Sequence, residues 1–357
     1  MTAKLTDLCN IQYGYAFDSS NFTEDESFIP LVRIRDVKRG YSETFFNGSY
    51  PDEYVLHKGD LLIGMDGEFN IARWQSRDAL LNQRVCKITA REGTSEEYLR
   101  FALSKALKEI ERRTAFVTVK HLSAKELNKL EIDAPPLEEQ EHISECLARI
   151  EKVIDLKEKE LSELDELIKA RFVELFGMPV SNTKGWKTSP MNDVAPPVNY
   201  EGAFDEKIWL LNLDMIEAQT GRIIDYLYVT EDEIGNSTCS FDTSNVLYSK
   251  LRPYLNKVVI PDRCGYATSE LVPLKPDASK INREYLAYML RSDEFVNMIN
   301  EKVAGAKMPR VSMGDFRKFE VPIPSMDLQE SFTVFVKQVD KSKFVAKEKV
   351  NVMYHYS

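Results

Sequence analysis

Apolar residues recur every seven positions along a stretch that follows Pro136 and stops at Gly177. Two such series run side by side with an offset of four positions, which is the pattern of a coiled-coil seam. Proline favours the first turn of a helix, whereas Gly177 and Pro179 favour its end. The pattern predicts one long helix over residues 137–176. One series contains Ile143, Ile150, Lys157, Leu164 and Arg171, and the other contains Leu147, Ile154, Leu161, Ile168 and Leu175.

A second stretch with the same spacing starts at residue 327 and reaches residue 357. A helix over 137–176 would be about 60 Å long at ~1.5 Å per residue, so it needs a partner. We therefore expect the two stretches to pair as an antiparallel coiled coil inside the chain. A helix with one stripe packed on a domain is the alternative. The second seam contains Phe332, Val339, Ala346 and Met353 in one series and Val336 and Val350 in the other, which Lys343 interrupts.

Short runs typical of β-strands precede each long helix and are separated by Gly, Asp, Asn and Pro turns. They read IPLVRI, DLLIGM and RVCKIT in the first half, and IWLLNL, NVLYS and KVVIP in the second. A helix is predicted over residues 95–113 and again over 282–300. A short helix or turn is expected near Ser123 and Ser312, before a last strand. Each part is predicted to be an α+β domain with a mostly antiparallel or mixed sheet.

The two halves of the chain repeat one another. EIDAPPLEEQEHISECLARI at residues 131–150 aligns without a gap with EVPIPSMDLQESFTVFVKQV at residues 320–339, which pairs Gln140 with Gln329. LTDL, VRIRDV, GDLLIG, EYLRFALSK and HLSAKELNKLEI correspond in the same order to MNDV, LLNLDM, SNVLYS, EYLAYMLRS and RVSMGDFRKFEV. The separation between partners ranges from 178 to 189 residues. A period of this length indicates a duplicated domain and not a solenoid.

The repeat predicts the domain organisation. Two α+β domains related by a pseudo-two-fold axis are expected to be separated by the antiparallel helix pair. Projected by 189 residues, the RFVELFG that ends the first helix would recur at 360–366, so the second helix is expected to be short by about two turns. The predicted segments are a first domain over 1–136, a first spacer helix over 137–177, a second domain over 178–326 and a shortened second spacer helix over 327–357.

The charge of the chain is unevenly distributed. The 357 residues carry a net charge of −10, which at first sight disfavours a nucleic-acid partner. Residues 137–177 hold 6 basic and 12 acidic residues and so account for −6 of that total. Residues 1–136 hold 19 basic and 21 acidic residues, and residues 178–326 hold 17 and 20. Each domain is therefore near neutral and can present a local basic face.

Several classes of protein are disfavoured. The five cysteines form no C-x-x-C pair and only four histidines are present, so no metal site is expected. The chain shows neither a signal peptide nor an apolar run long enough to span a membrane, which predicts a cytoplasmic protein without a membrane partner.

No catalytic motif is found. G-x-G-x-x-G and G-x-x-x-x-G-K-[ST] loops are missing, as are the motifs of DNA amino-methyltransferases and nucleases. Asp66 and Glu68 in GMDGEFN are interpreted as solvated turn carboxylates and not as metal ligands. The sequence thus predicts a non-catalytic protein without a cofactor.

The half-chain duplication is combined with a proline turn and a long helix that read IDAPPLEEQEHI and then RIEKVIDLKEKELSELDELIKARFVELFG. Over nearly the whole chain, this combination resembles the specificity subunit of type I restriction-modification systems. The resemblance implies two target-recognition domains, each reading one half of a split double-stranded DNA sequence. It also implies that the paired helices dock methyltransferase subunits, which themselves bind S-adenosylmethionine, and a restriction subunit.

In such a protein, loop side chains would reach base edges, in half-sites about one helical turn (~10 base pairs) apart. TAFVTVKHLS and GAKMPRVS occupy matching places in the repeat. For any single candidate, a solvated surface charge is the alternative. The first-domain candidates are Arg33, Arg35, Lys38, Asn82, Gln83, Arg84, Thr118 and Lys120, with Arg39 and His121 beside them. The second-domain candidates are Lys250, Arg252, Tyr254, Lys257, Lys307 and Arg310, with Asn256 beside them.

A coiled-coil scaffold with two protein-binding modules is the alternative function, and the acidic total charge favours it. DNA binding that weakens steeply with salt would distinguish the specificity subunit from such a scaffold.

Overall fold

The computed structural model of the chain describes residues 2–113, 121–303 and 307–356. The chain forms two compact units that divide inside the long helix Leu137–Phe176, with the first unit ending at Ile154. Each unit combines helices with small sheets. The α+β class predicted from the sequence is therefore confirmed.

The first unit contains a four-stranded antiparallel sheet in the order β2-β10-β7-β8 and a five-stranded sheet in the order β3-β5-β4-β9-β6, in which β4 and β9 run parallel. Strand β1 pairs with β11. The strands are β1 (Thr2–Lys4), β2 (Cys9–Tyr13), β3 (Phe22–Thr23), β4 (Ile29–Val32), β5 (Phe45–Phe46), β6 (Val55–Leu56), β7 (Leu61–Gly64), β8 (Ile71–Arg73), β9 (Ala79–Leu81), β10 (Val85–Ala90) and β11 (Glu131–Asp133). The helices are α1 (Leu5–Leu8), α2 (Ile34–Arg39), α3 (Glu96–Arg113), α4 (Ala124–Asn128) and the first part of α5 (Leu137–Phe176).

The second unit repeats this plan with sheets in the orders β14-β13-β18-β15 and β17-β16-β19, and β13 and β18 run parallel. Strand β12 pairs with β20. The strands are β12 (Thr188–Pro190), β13 (Ile208–Leu211), β14 (Leu227–Val229), β15 (Thr238–Phe241), β16 (Val246–Ser249), β17 (Val258–Val259), β18 (Gly265–Thr268), β19 (Leu271–Leu274) and β20 (Glu320–Pro322). Besides the end of α5, the helices are α6 (Met191–Val194), α7 (Arg283–Arg291), α8 (Asp293–Lys302), α9 (Met313–Arg317) and α10 (Met326–Tyr356).

The predicted repeat is present in the structure. The short helices α1 and α6 occupy LTDL and MNDV, and α4 and α9 begin after Ser123 and Ser312, whose hydroxyls cap them. The first tyrosine of each EYL motif lies at the same point of its unit. The Tyr98 hydroxyl donates to the carbonyl of Asp133 (2.9 Å), and the Tyr285 hydroxyl donates to that of Pro322 (2.8 Å).

The run IPLVRI does not continue as a strand through Ile34. Strand β4 ends at Val32, and helix α2 begins at Ile34. The carboxylate of Asp36 accepts a hydrogen bond from the backbone N–H of Arg33 (2.9 Å), which caps the helix start. Gly40 ends the helix in the left-handed region (φ 76°).

The helix predicted over 282–300 is interrupted. Ser292 has an extended backbone between α7 and α8, and its hydroxyl accepts a hydrogen bond from the backbone N–H of Phe295. The side-chain amide of Asn256 donates to the carbonyl of Arg291 (2.9 Å), a group that the end of α7 leaves free. A capping serine and a long-range hydrogen bond therefore divide the predicted helix in two.

Helix α5 begins and ends where the heptads predict. Its seam positions are less exposed than their neighbours, with Ile154 and Ile168 buried and Ile143, Leu147, Ile150, Leu161 and Leu164 half-buried. On α10, the buried seam residues are Phe332, Val336, Val339, Ala346 and Val350.

Within the second unit the two long helices pack antiparallel, as predicted. The ring of Phe172 lies 5.5 Å from that of Phe332, and Lys343 forms an ion pair with Asp165. As the residue number increases along α10, the number of the residue that it meets on α5 therefore decreases. Lys343 interrupts the apolar series because its ammonium group has this carboxylate opposite it.

A buried glutamine anchors each long helix to its unit. Gln140 Oε1 accepts a hydrogen bond from the N–H of Ser95 before α3 (2.9 Å), and Gln329 Oε1 accepts one from the N–H of Asn282 before α7 (2.9 Å). Each Nε2 donates to the carbonyl of the proline five residues earlier, at 2.7 Å and 2.9 Å respectively. Buried amides need such partners, which gives a structural reason for a glutamine at this position in both halves.

We expect Gln329→Leu to lower the free energy of unfolding by about 1–3 kcal/mol, because the partly buried N–H of Asn282 would lose its acceptor. Denaturant unfolding followed by circular dichroism measures the loss. Gln338→Leu, at an exposed position of the same helix, is the control and should change stability by about 0.5 kcal/mol or less. Equal losses in the two variants would contradict the anchoring role.

Candidate nucleic-acid interface

Five of the residues predicted to contact DNA line one open cleft of about 430 Å³ in the first unit. They come from two segments that are distant in sequence, the start of α2 and the turn between β9 and β10. The predicted residues in the cleft are Arg33, Arg35, Asn82, Gln83 and Arg84, and Phe17, Ser19, Phe22 and Ile34 complete the lining.

The start of α2 presents its arginines outward because Asp36 turns inward. The Asp36 side chain is fully buried and accepts hydrogen bonds at the helix start, which leaves Arg33 and Arg35 exposed. Arg35 donates to the hydroxyl of Thr44 (3.2 Å). Lys38 is exposed on the same helix.

The turn after β9 is shaped by a close backbone approach. A Cβ on Gly14 would lie 2.1 Å from the carbonyl oxygen of Asn82, so only glycine fits there. The N–H of Gln83 donates to the carbonyl of Tyr15 (2.8 Å), and Arg84 follows with φ 75°. This conformation places Gln83 and Arg84 at the surface, whereas Asn82 is buried.

Arg84 is held by a carboxylate. Its Nη1 lies 3.4 Å from Asp66 Oδ2, and the other oxygen of Asp66 is bonded to His121 Nδ1. The same ring nitrogen lies 3.2 Å from Arg84 Nη1. Because a nitrogen that donates to Asp66 cannot also accept from Arg84, the ion pair with Asp66 is the contact that orients the guanidinium.

Two candidates of the first domain, Thr118 and Lys120, lie outside the described residues. Their roles stay predictions. His121, the next residue along, is described and joins Asp66 as above.

In the second unit the two candidate loops meet. The N–H of Arg252 donates to the carbonyl of Pro309 (2.8 Å), and the N–H of Val311 donates to that of Lys250 (2.8 Å). Arg252, Tyr254, Lys307 and Arg310 are exposed, and Lys250 is half-buried. The structure thus brings SKLRPYLNK and the described residues Lys307–Arg310 together, a contact that the sequence did not predict.

Lys257 differs from the other candidates. Its Nζ donates to the carbonyl of Leu213 (2.6 Å) inside the unit, and burial lowers the pKa of its ammonium group. A DNA contact by Lys257 would have to break this hydrogen bond, so its structural role is the better supported one.

Two carboxylates next to the candidate arginines were not predicted as site residues. Asp66 is not the solvated turn carboxylate expected from the sequence, because it pairs with His121 and Arg84, whereas Glu68 is exposed. Glu270 pairs with Arg310 (2.7 Å). These partners lie 18 to 55 residues apart, so local sequence patterns carry no signal for them.

Two further findings concern the described residues only. Within residues 2–113, 121–303 and 307–356, no helix is long and apolar enough to cross a membrane. In the same ranges, His, Cys, Asp and Glu form no group of three or more that could hold a metal ion.

Comparison with known proteins places this geometry in context. Residues 1–166 match the family model described as the type I restriction modification DNA specificity domain. Over 163 residues the chain is 40% identical to the type I restriction enzyme EcoBI specificity subunit of Escherichia coli. That alignment covers 45% of this chain and 34% of that protein, so the chain spans about a third of this relative's length.

Other similarities extend over most of the chain. It is 22% identical to the type I restriction enzyme EcoDI specificity subunit of Escherichia coli over 358 residues, which covers 87% of this chain and 79% of that protein. The crystal structure of a type I restriction-modification system S subunit from M. genitalium has the same fold, with a TM-score of 0.55 at 14% identity. The superposition covers 100% of this chain and 93% of that one.

Proposed function

We propose that the chain is a specificity subunit of a type I restriction-modification system and reads a bipartite double-stranded DNA target, which the match of residues 1–166 to the specificity-domain model supports. In this proposal it catalyses no reaction itself. It docks methyltransferase subunits, which bind S-adenosylmethionine, and a restriction subunit. The cytoplasm, where its DNA substrate lies, is the compartment that fits this function.

The observation that carries this proposal is the cleft at the start of α2. Arg33, Arg35 and Arg84 supply donors for guanine edges and phosphates, and Gln83 can pair with adenine. The second unit offers Arg252, Lys307 and Arg310 on loops that match the Asp66 turn and the His121 segment of the first unit, next to Arg84. Two similar scaffolds with different loop side chains suit a target whose halves differ.

We assign the DNA-reading role to residues 1–136 and 178–326 as two target-recognition domains. Residues 137–177 and 327–357 then form the spacer helices, and their paired surface is the proposed dock for the other subunits.

Fluorescence anisotropy with a random-sequence duplex tests the proposal. The full chain is titrated alone and together with methyltransferase subunits, at low and at moderate salt. Binding that weakens steeply as salt rises supports DNA recognition, because lysine and arginine contacts displace counterions. Absence of salt-dependent binding in both preparations would reject it in favour of the scaffold with two protein-binding modules.

Lys307→Ala should weaken binding to all duplexes and reduce the salt slope by about 1, as expected for loss of one phosphate contact. The melting temperature should not change, because the side chain is exposed. Lys349→Ala removes an exposed lysine from α10 instead and should leave the slope unchanged. If the melting temperature of the Lys307→Ala variant falls by several degrees, the residue has a structural role instead.

A further inference from the structure

The first unit contains a junction where three segments meet. The N–H of Met65, at the end of β7, donates to the carbonyl of Arg84 (2.8 Å), and the N–H of Leu122 donates to the carbonyl of Met65 (2.7 Å). Asp66 and His121 face each other across this junction as a bridge between the segments.

The second unit contains the same junction. The N–H of Lys250 donates to the carbonyl of Glu270 (3.0 Å), and the N–H of Val311 donates to the carbonyl of Lys250 (2.8 Å). Leu251 and Arg310 form the corresponding bridge. The backbone hydrogen bonds therefore equate Arg84 with Glu270, and they equate His121 with Arg310.

The arginine and the carboxylate come from different positions of this junction in the two units. In the first unit the turn after β9 supplies the arginine, Arg84, and Asp66 supplies the carboxylate. In the second unit the turn after β18 supplies the carboxylate, Glu270, and the segment before α9 supplies the arginine, Arg310. Leu251 stands where the first unit has Asp66 and cannot hold a guanidinium.

Both pairs share one asymmetry of exposure. The arginine side chains are 51% and 59% exposed, whereas the carboxylates Asp66 and Glu270 are 23% and 18% exposed. Half-exposed ion pairs add little to stability. Glu270 Oε2 is moreover buried without a hydrogen-bond partner in the described part of the chain, an arrangement that disfavours the folded state. Stability alone therefore does not account for these pairs.

We propose that Asp66 and Glu270 are positioning residues that hold Arg84 and Arg310 in place to read a guanine in each half-site. This inference rests on the proposed function. A guanidinium fixed by one carboxylate retains free N–H donors and loses less conformational entropy on binding. Because the arginine comes from a different segment in each unit, it lies at a different point of the same scaffold. The two units consequently read different half-sites.

The test starts from the split target that the full chain, with methyltransferase subunits, selects from a randomised duplex pool. Glu270→Gln retains the side-chain shape and removes the charge. We expect it to lower the preference for guanine over the other bases at one position of the second half-site by about 10- to 100-fold. Affinity for random duplex should stay unchanged. Asp66→Asn should act in the same way on the first half-site only.

Controls separate this role from a structural one. The Arg310→Ala variant should lose the same preference for guanine. The double variant Glu270→Gln/Arg310→Ala should lose no more of this preference than either single variant. Glu217→Gln breaks another carboxylate–arginine pair of the second unit, with Arg222 (2.7 Å), and should leave both half-sites unchanged.

Two outcomes would overturn the inference. One is that the Glu270→Gln protein binds all sequences more weakly by the same factor. The other is that it keeps the full preference of the original chain for guanine. Failure of the original chain to select any split target would instead refute the proposed function.

Discussion

Replacing Phe332 with alanine should lower the free energy of unfolding by about 3–5 kcal/mol, the largest loss expected from a single change in the helix pair. The side chain is fully buried. Its ring lies 5.5 Å from Phe172, 5.4 Å from Phe176 and 5.3 Å from Tyr288. Alanine would leave a cavity among these rings, which belong to the helices α5 and α7. Denaturant unfolding of the full chain measures the loss.

Phe344→Ala is the matched control, because this phenylalanine lies on the same helix with 66% of its surface exposed. It should cost about 0.5 kcal/mol or less. If the two variants lose the same stability, the helix pair does not pack through the apolar seam described above.

Exchanging residues 1–136 for the aligned segment of the EcoDI specificity subunit should replace one half of the DNA target and leave the other half intact. Affinity for the original target should fall by about 10³-fold or more, because each mismatched base pair costs about 1–3 kcal/mol. Selection from a randomised duplex pool identifies the new target directly. This change should have the largest effect on recognition.

The corresponding exchange of the second domain, residues 178–326, is the control and should alter only the other half of the target. A single exchange that changes both halves, or neither, would refute the two-domain proposal. Stability of each exchanged protein is checked by its melting temperature, so that loss of the fold is not mistaken for loss of recognition.

The long helices could be predicted because their signal is periodic and local. Seven-residue spacing between proline and glycine boundaries was sufficient to predict α5 over residues 137–176 and its antiparallel partner. The lysine at position 343 appeared only as an interruption, because its partner Asp165 is 178 residues away.

Shorter elements depended on contacts that the sequence pattern does not encode. The start of α2 is capped by Asp36, which also accepts a hydrogen bond from Ser42, and its sequence reads equally well as the end of a strand. The break at Ser292 coincides with a hydrogen bond from Asn256. In both places a polar side chain determines the backbone path.

The candidate site was predicted in part. Exposed arginines next to turns were identifiable, and the fold brings Arg33, Arg35 and Arg84 into one cleft. The carboxylates beside them could not be found, because the alignment of the halves pairs segments and not side-chain partners. Lys257 shows another limit of the loop pattern, since a lysine in a candidate loop can also turn inward to a carbonyl, and its DNA contact stays a prediction.

The glutamine joints have an evolutionary consequence. Gln140 and Gln329 bind backbone groups of their own unit, at Ser95 before α3 and at Asn282 before α7, and not side chains that would differ between domains. A joint made from main-chain groups accepts any recombined domain that preserves the backbone path. Duplication followed by divergence of the loops could thus proceed while each domain remained attached to its helix in the same way.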